Sequence, residues 1–91
     1  MREIVLINIT GEDRPGLTAA ITGVLAQGGV NILDIAQTVV GGYFNMMMVV
    51  DASKYAKPFE RLGAALDRIG AEMGLKIRCQ KSEIFEKMHR V

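Results

Sequence analysis

The chain has 91 residues and a mass of 9.9 kDa, the size of one small domain spanning residues 1–91. Lys plus Arg number 11 and Asp plus Glu 10, so the formal net charge is +1, without the basic excess of a dedicated nucleic-acid binder. At 49% apolar residues the chain is too hydrophobic for intrinsic disorder, and it has no apolar run of about 18 residues that would span a membrane. Its start, Met1-Arg2-Glu3-Ile4, does not read as a secretory signal. A single cysteine, Cys79, cannot form an internal disulfide, and the expected compartment is a reducing cytoplasm. One histidine, His89, and no cluster of His, Cys and carboxylates at ligand spacing point away from metals, cofactors and catalysis.

In chain order, residues 3–10 are rich in β-branched side chains and predict a first strand. Val5, Ile7 and Ile9 alternate onto one face. Ile4, Leu6, Asn8 and Thr10 fall on the other, apolar at first and then polar, as expected of a central strand. Gly11-Glu12-Asp13-Arg14-Pro15-Gly16 reads as a turn into a helix, with Pro15 suited to the first helical turn. Leu17, Ile21, Val24 and Leu25 form the apolar face of that helix, and Gly28-Gly29 ends it. Residues 30–40 predict a second strand, bulged near Leu33-Asp34 where the alternation slips. Gly41-Gly42 is a hairpin turn, and residues 43–50 form the return strand, with Phe44, Met46, Met48 and Val50 on one face.

After a polar connection, Pro58 opens a second helix with Phe59, Leu62, Leu66, Ile69 and Met73 at helical spacing, stopped by Gly74. Residues 75–81 alternate, Leu75, Ile77 and Cys79 inward and Lys76, Arg78 and Gln80 outward. Ser82 is suited to cap a short last helix with an apolar stripe of Ile84, Phe85, Met88 and Val91. The order strand, helix, strand, strand, helix, strand predicts an α+β fold. It is a ferredoxin-like βαββαβ sandwich, a four-stranded antiparallel sheet with two helices on one face plus the short C-terminal helix. Two helices cover one side of such a sheet, so apolar residues on the other side favour association into a homodimer or higher homo-oligomer, unless the tail folds back over them.

The stretch Gly11-x-Asp13-Arg14-Pro15-Gly16-Leu17, followed one helix later by Gly29-Val30-Asn31-Ile32, resembles the ACT domain. The element order matches along the whole chain. Tyr43-Phe44-x-Met46-Met47 and Ile84-Phe85-Glu86-x-Met88 are similar to small free-standing single-ACT proteins of bacteria and archaea, with the ACT modules of phosphoserine phosphatases and the glycine-cleavage repressor next in likeness. The resemblance implies a regulatory module that binds an amino-acid-like ligand between the loop before the first helix and the start of the second strand, at a homodimer interface. Carried over by position, the ligand-binding residues are Asp13, Gly16 and Leu17 from the loop and Asn31 and Ile32 from the strand. Serine-binding ACT domains have His and Asn at the positions of Gly11 and Asp13, so the resemblance does not carry serine over as the ligand.

The chemistry of the motif agrees with a ligand site. A helix N-terminus presents unpaired N–H groups and a partial positive charge that suit a carboxylate. Gly16 leaves its backbone open, Asn31 both donates and accepts, and Asp13 suits an ammonium. Each residue also has a simpler use: Pro15 and Gly16 in shaping the turn, Asp13 in capping the helix, Asn31 in satisfying backbone groups. The methionines at 46–48 and Cys79 are suited to packing. The sequence thus points to a stand-alone regulatory module that signals to a partner enzyme or regulator. The alternative is a ligand-free dimeric scaffold. Nucleic-acid recognition on the sheet lacks stacking aromatics beyond Tyr43 and Phe44. Pro15 interrupts the run of N–H groups that an acylphosphatase-like loop needs, and His89 lies outside the core strands where a phosphotransfer histidine would have to sit.

Overall fold

The structure, a computed structural model, describes residues 3–81. The expected tail helix, with its Ser82 cap, its stripe of Ile84, Phe85, Met88 and Val91, and His89, lies outside the described residues. The elements are β1 (Ile4–Glu12), α1 (Leu17–Gln27), β2 (Asn31–Val40), β3 (Tyr43–Asp51), α2 (Phe59–Met73) and β4 (Leu75–Lys81). They form one antiparallel sheet in the order β2-β3-β1-β4, the ferredoxin-like arrangement expected from the element order.

β1 is the central strand, paired from Ile4↔Asp51 to Glu12↔Tyr43 with β3 and from Val5↔Lys81 to Gly11↔Leu75 with β4. It runs two residues past the expected end, because Gly11 and Glu12 still find partners on β3. The β2–β3 register shifts between Ile32 and Asp34, which makes Leu33 the extra residue of the expected bulge. Gly41 and Gly42 turn the hairpin with φ of 59° and 80°, a pair of positive values that glycine takes at no steric cost.

Opposed residues of an antiparallel pair share a face, so the register assigns every side chain. Toward the helices point Val5, Ile7 and Ile9 of β1 and Phe44, Met46, Met48 and Val50 of β3, all buried. Leu17, Ile21 and Leu25 of α1 and Leu62 and Leu66 of α2 close over them, while Val24, Ile77 and Cys79 pack at the margin. Among the described residues no polar or charged side chain is buried, so apolar burial alone holds this core together.

The opposite face reads, row by row, Val40–Tyr43–Glu12, Thr38–Asn45–Thr10–Lys76, Ala36–Met47–Asn8–Arg78 and Asp34–Val49–Leu6–Gln80. Val40, Tyr43 and Met47 are exposed there. Ile4 and Val49 are buried on this face without belonging to the helix-side core. The exposed apolar surface on this face therefore runs from the hairpin turn to Met47 at mid-sheet. Leu66 sits at the centre of the α2 contact and is fully buried, so Leu66→Ala should cost about 2–5 kcal/mol, read as a lower urea midpoint with an unchanged slope.

Candidate ligand-binding site

The loop between β1 and α1 does not start the helix as expected. Pro15 lies ahead of the helix, and Gly16 is the N-cap, in the left-handed region at φ 85° and ψ −1°. Glycine adopts this conformation freely and turns the chain sharply into α1, which displaces Pro15 from the first helical turn. No side chain caps the helix and its first turn holds no acidic residue, so Asp13 does not act as its cap. The first N–H groups of α1 thus keep their capacity for an outside acceptor. A β-carbon built on Gly16 would meet nothing within 4 Å, so the backbone there is open to approach.

Asp13 is anchored by its backbone: its N–H donates to the Gly42 carbonyl oxygen at 2.8 Å, which ties the loop to the β2–β3 turn. Its side chain is exposed. Leu17 is 2% exposed and belongs to the core, so only its backbone N–H is available to a ligand.

Asn31 and Ile32 lie elsewhere. Asn31 opens β2 opposite Asp51, at the far end of the ten-residue strand from Val40 and the turn. At about 3.3 Å per residue that separation is roughly 30 Å. Asn31 is exposed and lines a recess of about 380 Å³ with Gly29, Val30, Asp51, Ser53 and Lys54. The Asp51 Oδ1 accepts the Ser53 N–H at 2.9 Å and the Glu3 N–H at 3.3 Å, fixing the wall of this recess. Ile32 is half-buried against the core. The five candidate residues thus form two clusters at opposite ends of the chain's fold. Ser53 and Lys54, which share the recess with Asn31, carried no motif that would have singled them out.

The ACT domain family profile matches residues 3–80. The chain belongs to the ACT domain family. Its curated relatives include the UPF0237 protein of Methanococcus maripaludis, 46% identical over 89 residues that cover 98% of this chain and 99% of that protein. Among solved structures it is similar to an ACT domain protein from Streptococcus pneumoniae, with a TM-score of 0.79, 36% identity, and coverage of 94% of this chain and 97% of that one. A putative glycine cleavage system transcriptional repressor shares the fold at a TM-score of 0.79 and 22% identity, over 91% of this chain and 47% of that one. The resemblance to small single-ACT proteins holds, and ACT membership implies regulatory binding of small ligands.

No group of three or more His, Cys, Asp or Glu among the described residues is placed to hold a metal. No helix among them is long and apolar enough to cross a membrane. Burial, with the nearby Asp67 charge second, pushes the Cys79 thiol from its ordinary 9.0 up to about 11. Between those values the unfolded chain loses the thiol proton and the folded chain keeps it. Stability should therefore fall as pH rises from about 9 toward 11, and be indifferent to this group below 9. Urea midpoints at several pH values should show that fall in the wild type and a weaker one in Cys79→Ala.

Proposed function

We propose that this protein is a cytoplasmic regulatory module, not an enzyme, that binds an amino-acid-like ligand in sites shared between two copies of the chain and passes that signal to a partner protein. The observation that carries the reading is the character of the two sheet edges. β4 carries Lys76, Arg78 and Lys81 in seven residues, the charged pattern that blocks strand addition. β2 runs for ten residues with Asp34 as its one charged side chain. On its helix side Ile35 and Val39 stand 43% and 49% exposed, the residues a second strand alongside would cover.

Pairing β2 with β2 of a second copy about a two-fold axis through its middle sets the partner's Asn31 beside Val40. Val40 neighbours the Gly41–Gly42 turn, to which the Asp13 loop is bonded. The two clusters that a single chain holds about 30 Å apart are then adjacent across the interface, twice per dimer. Within each shared site the α1 N–H groups suit a carboxylate, Asp13 an ammonium and the partner's Asn31 either one. Ligand binding would bridge the copies and tighten the dimer, which is a signal that a partner enzyme or regulator can read.

A thermal-shift screen against the twenty amino acids, with light scattering on the same sample, tests this. The expected result is a dimer whose midpoint rises by several degrees with one or a few amino acids. Asp13→Ala and Asn31→Ala should each abolish the shift without unfolding the chain. Ile35→Lys with Val39→Lys should yield folded monomers that no longer respond. A stable dimer that answers no ligand would instead support a ligand-free docking scaffold.

A further inference from the structure

The cations of β4 have unlike surroundings on the two sides of the sheet. Lys81, on the helix side, is matched by Glu3 at 3.4 Å and lies over the Phe59 ring at 5.3 Å. Lys76 and Arg78 stand on the open face, where the register sets them directly across from Thr10 and Asn8 of β1. A carboxylate at either facing position would stabilise a cation across the strands, and neither position has one. Guarding the edge against strand addition explains charge on β4. It does not explain two cations left uncompensated on one face, roughly 7 Å apart along the strand. Asn8, Thr10, Lys76 and Arg78 line one recess of about 370 Å³ together with Ile77, and no acid lines it. None of the four side chains has a hydrogen bond or ion pair with any described residue. We propose that this corner of the open face binds the phosphate group of a small phosphate monoester, a second ligand beside the amino acid.

The donor set decides the class of ligand. An ammonium, a guanidinium, a hydroxyl and an amide share the recess, and each can donate. A phosphate monoester carries close to two negative charges and three terminal oxygens, so it answers both cations and still accepts from Thr10 and Asn8. A single carboxylate would leave one cation unanswered. The acids of the open face lie outside the recess. Glu12 is the next β1 residue on that face beyond Thr10 and makes no ion pair with Lys76, and Asp34 is on β2 at the far edge, where its Oδ1 accepts the Ile35 N–H at 2.9 Å. The organic part of the ligand has room as well. A second recess of about 300 Å³ shares Asn8 and continues over Met47, Asn45 and Thr38, which are uncharged and suit a neutral body. β4 is the edge opposite β2, so a dimer paired through β2 leaves this face open, and the inference stands apart from the shared amino-acid site.

The test is isothermal titration of the full-length protein, in about 0.15 M salt, with AMP and phenyl phosphate and with adenosine and phenol as their phosphate-free counterparts. At least one monoester should bind, and its counterpart should not. Lys76→Gln and Arg78→Gln should each weaken that binding roughly tenfold. Lys81→Gln removes a cation from the other side of the same strand and should leave the affinity unchanged. Lys76 and Arg78 are exposed and take no part in the core, so the unfolding midpoints of their variants should match the wild type. The proposal is overturned if neither monoester binds, or if binding survives both substitutions. It is equally overturned if Lys81→Gln weakens binding as much as they do, because the attraction would then be general to the strand. A single-stranded oligonucleotide that binds more tightly than either monoester, and loses that binding in the same two variants, would replace the small ligand with a nucleic acid.

Discussion

The pairing of β1 between β3 and β4 fixes where everything else in this molecule can be. Its nine residues alternate so that Val5, Ile7 and Ile9 face the helices, and its partners on both sides must follow that phase. A slip of one residue would turn Phe44, Met46 and Met48 away from the core and strip α1 and α2 of the β3 half of what they cover. Because β1 is flanked on both sides, the chain's first helix must cross over to the outer edge before β2 can begin. That crossing puts the start of β2 at one end of the sheet and the β1–α1 loop at the other. The separation of the two candidate clusters is a direct consequence of the topology.

Most of the architecture was legible in the residues. Two consecutive glycines between apolar runs specified the hairpin, because both turn positions need positive φ. The broken alternation at Leu33-Asp34 specified the bulge, and the spacing of Leu62 and Leu66 specified the buried side of α2. The start of α1 differs from the expectation because Pro15 suits a first helical turn, and the left-handed backbone of Gly16 moves the start past it. The end of β1 is hard to read from sequence for a related reason. Gly11 is a poor strand residue by propensity, and its pairing with Phe44 and Leu75 overrides that preference.

The motif supplies candidate residues and says nothing of how they assemble. Asp13, Gly16 and Asn31 were picked out by motif, but a linear motif carries no information on whether its two halves meet in one chain. Ser53 and Lys54 carry no sequence signal, because they sit in a polar connection without periodicity, and the fold alone brings them to the same recess as Asn31. The uncovered sheet face also came out smaller than expected, since Ile4 and Val49 are already buried there. The proposed dimer therefore uses the β2 edge, where Ile35 and Val39 lack cover.

The central claim is that each ligand site draws on two chains, and it can be measured without knowing the ligand. With Cys79→Ser as background, a chain carrying Asp13→Cys and Asn31→Cys would be treated with a short bis-maleimide of about 10 Å reach, well under the roughly 30 Å length of β2. The shared-site account predicts a covalent dimer on a denaturing gel, and no such dimer when either new cysteine is present alone. A doubly substituted protein that stays monomeric on the gel, at concentrations where light scattering reports a dimer, would show that the two clusters do not meet across the interface.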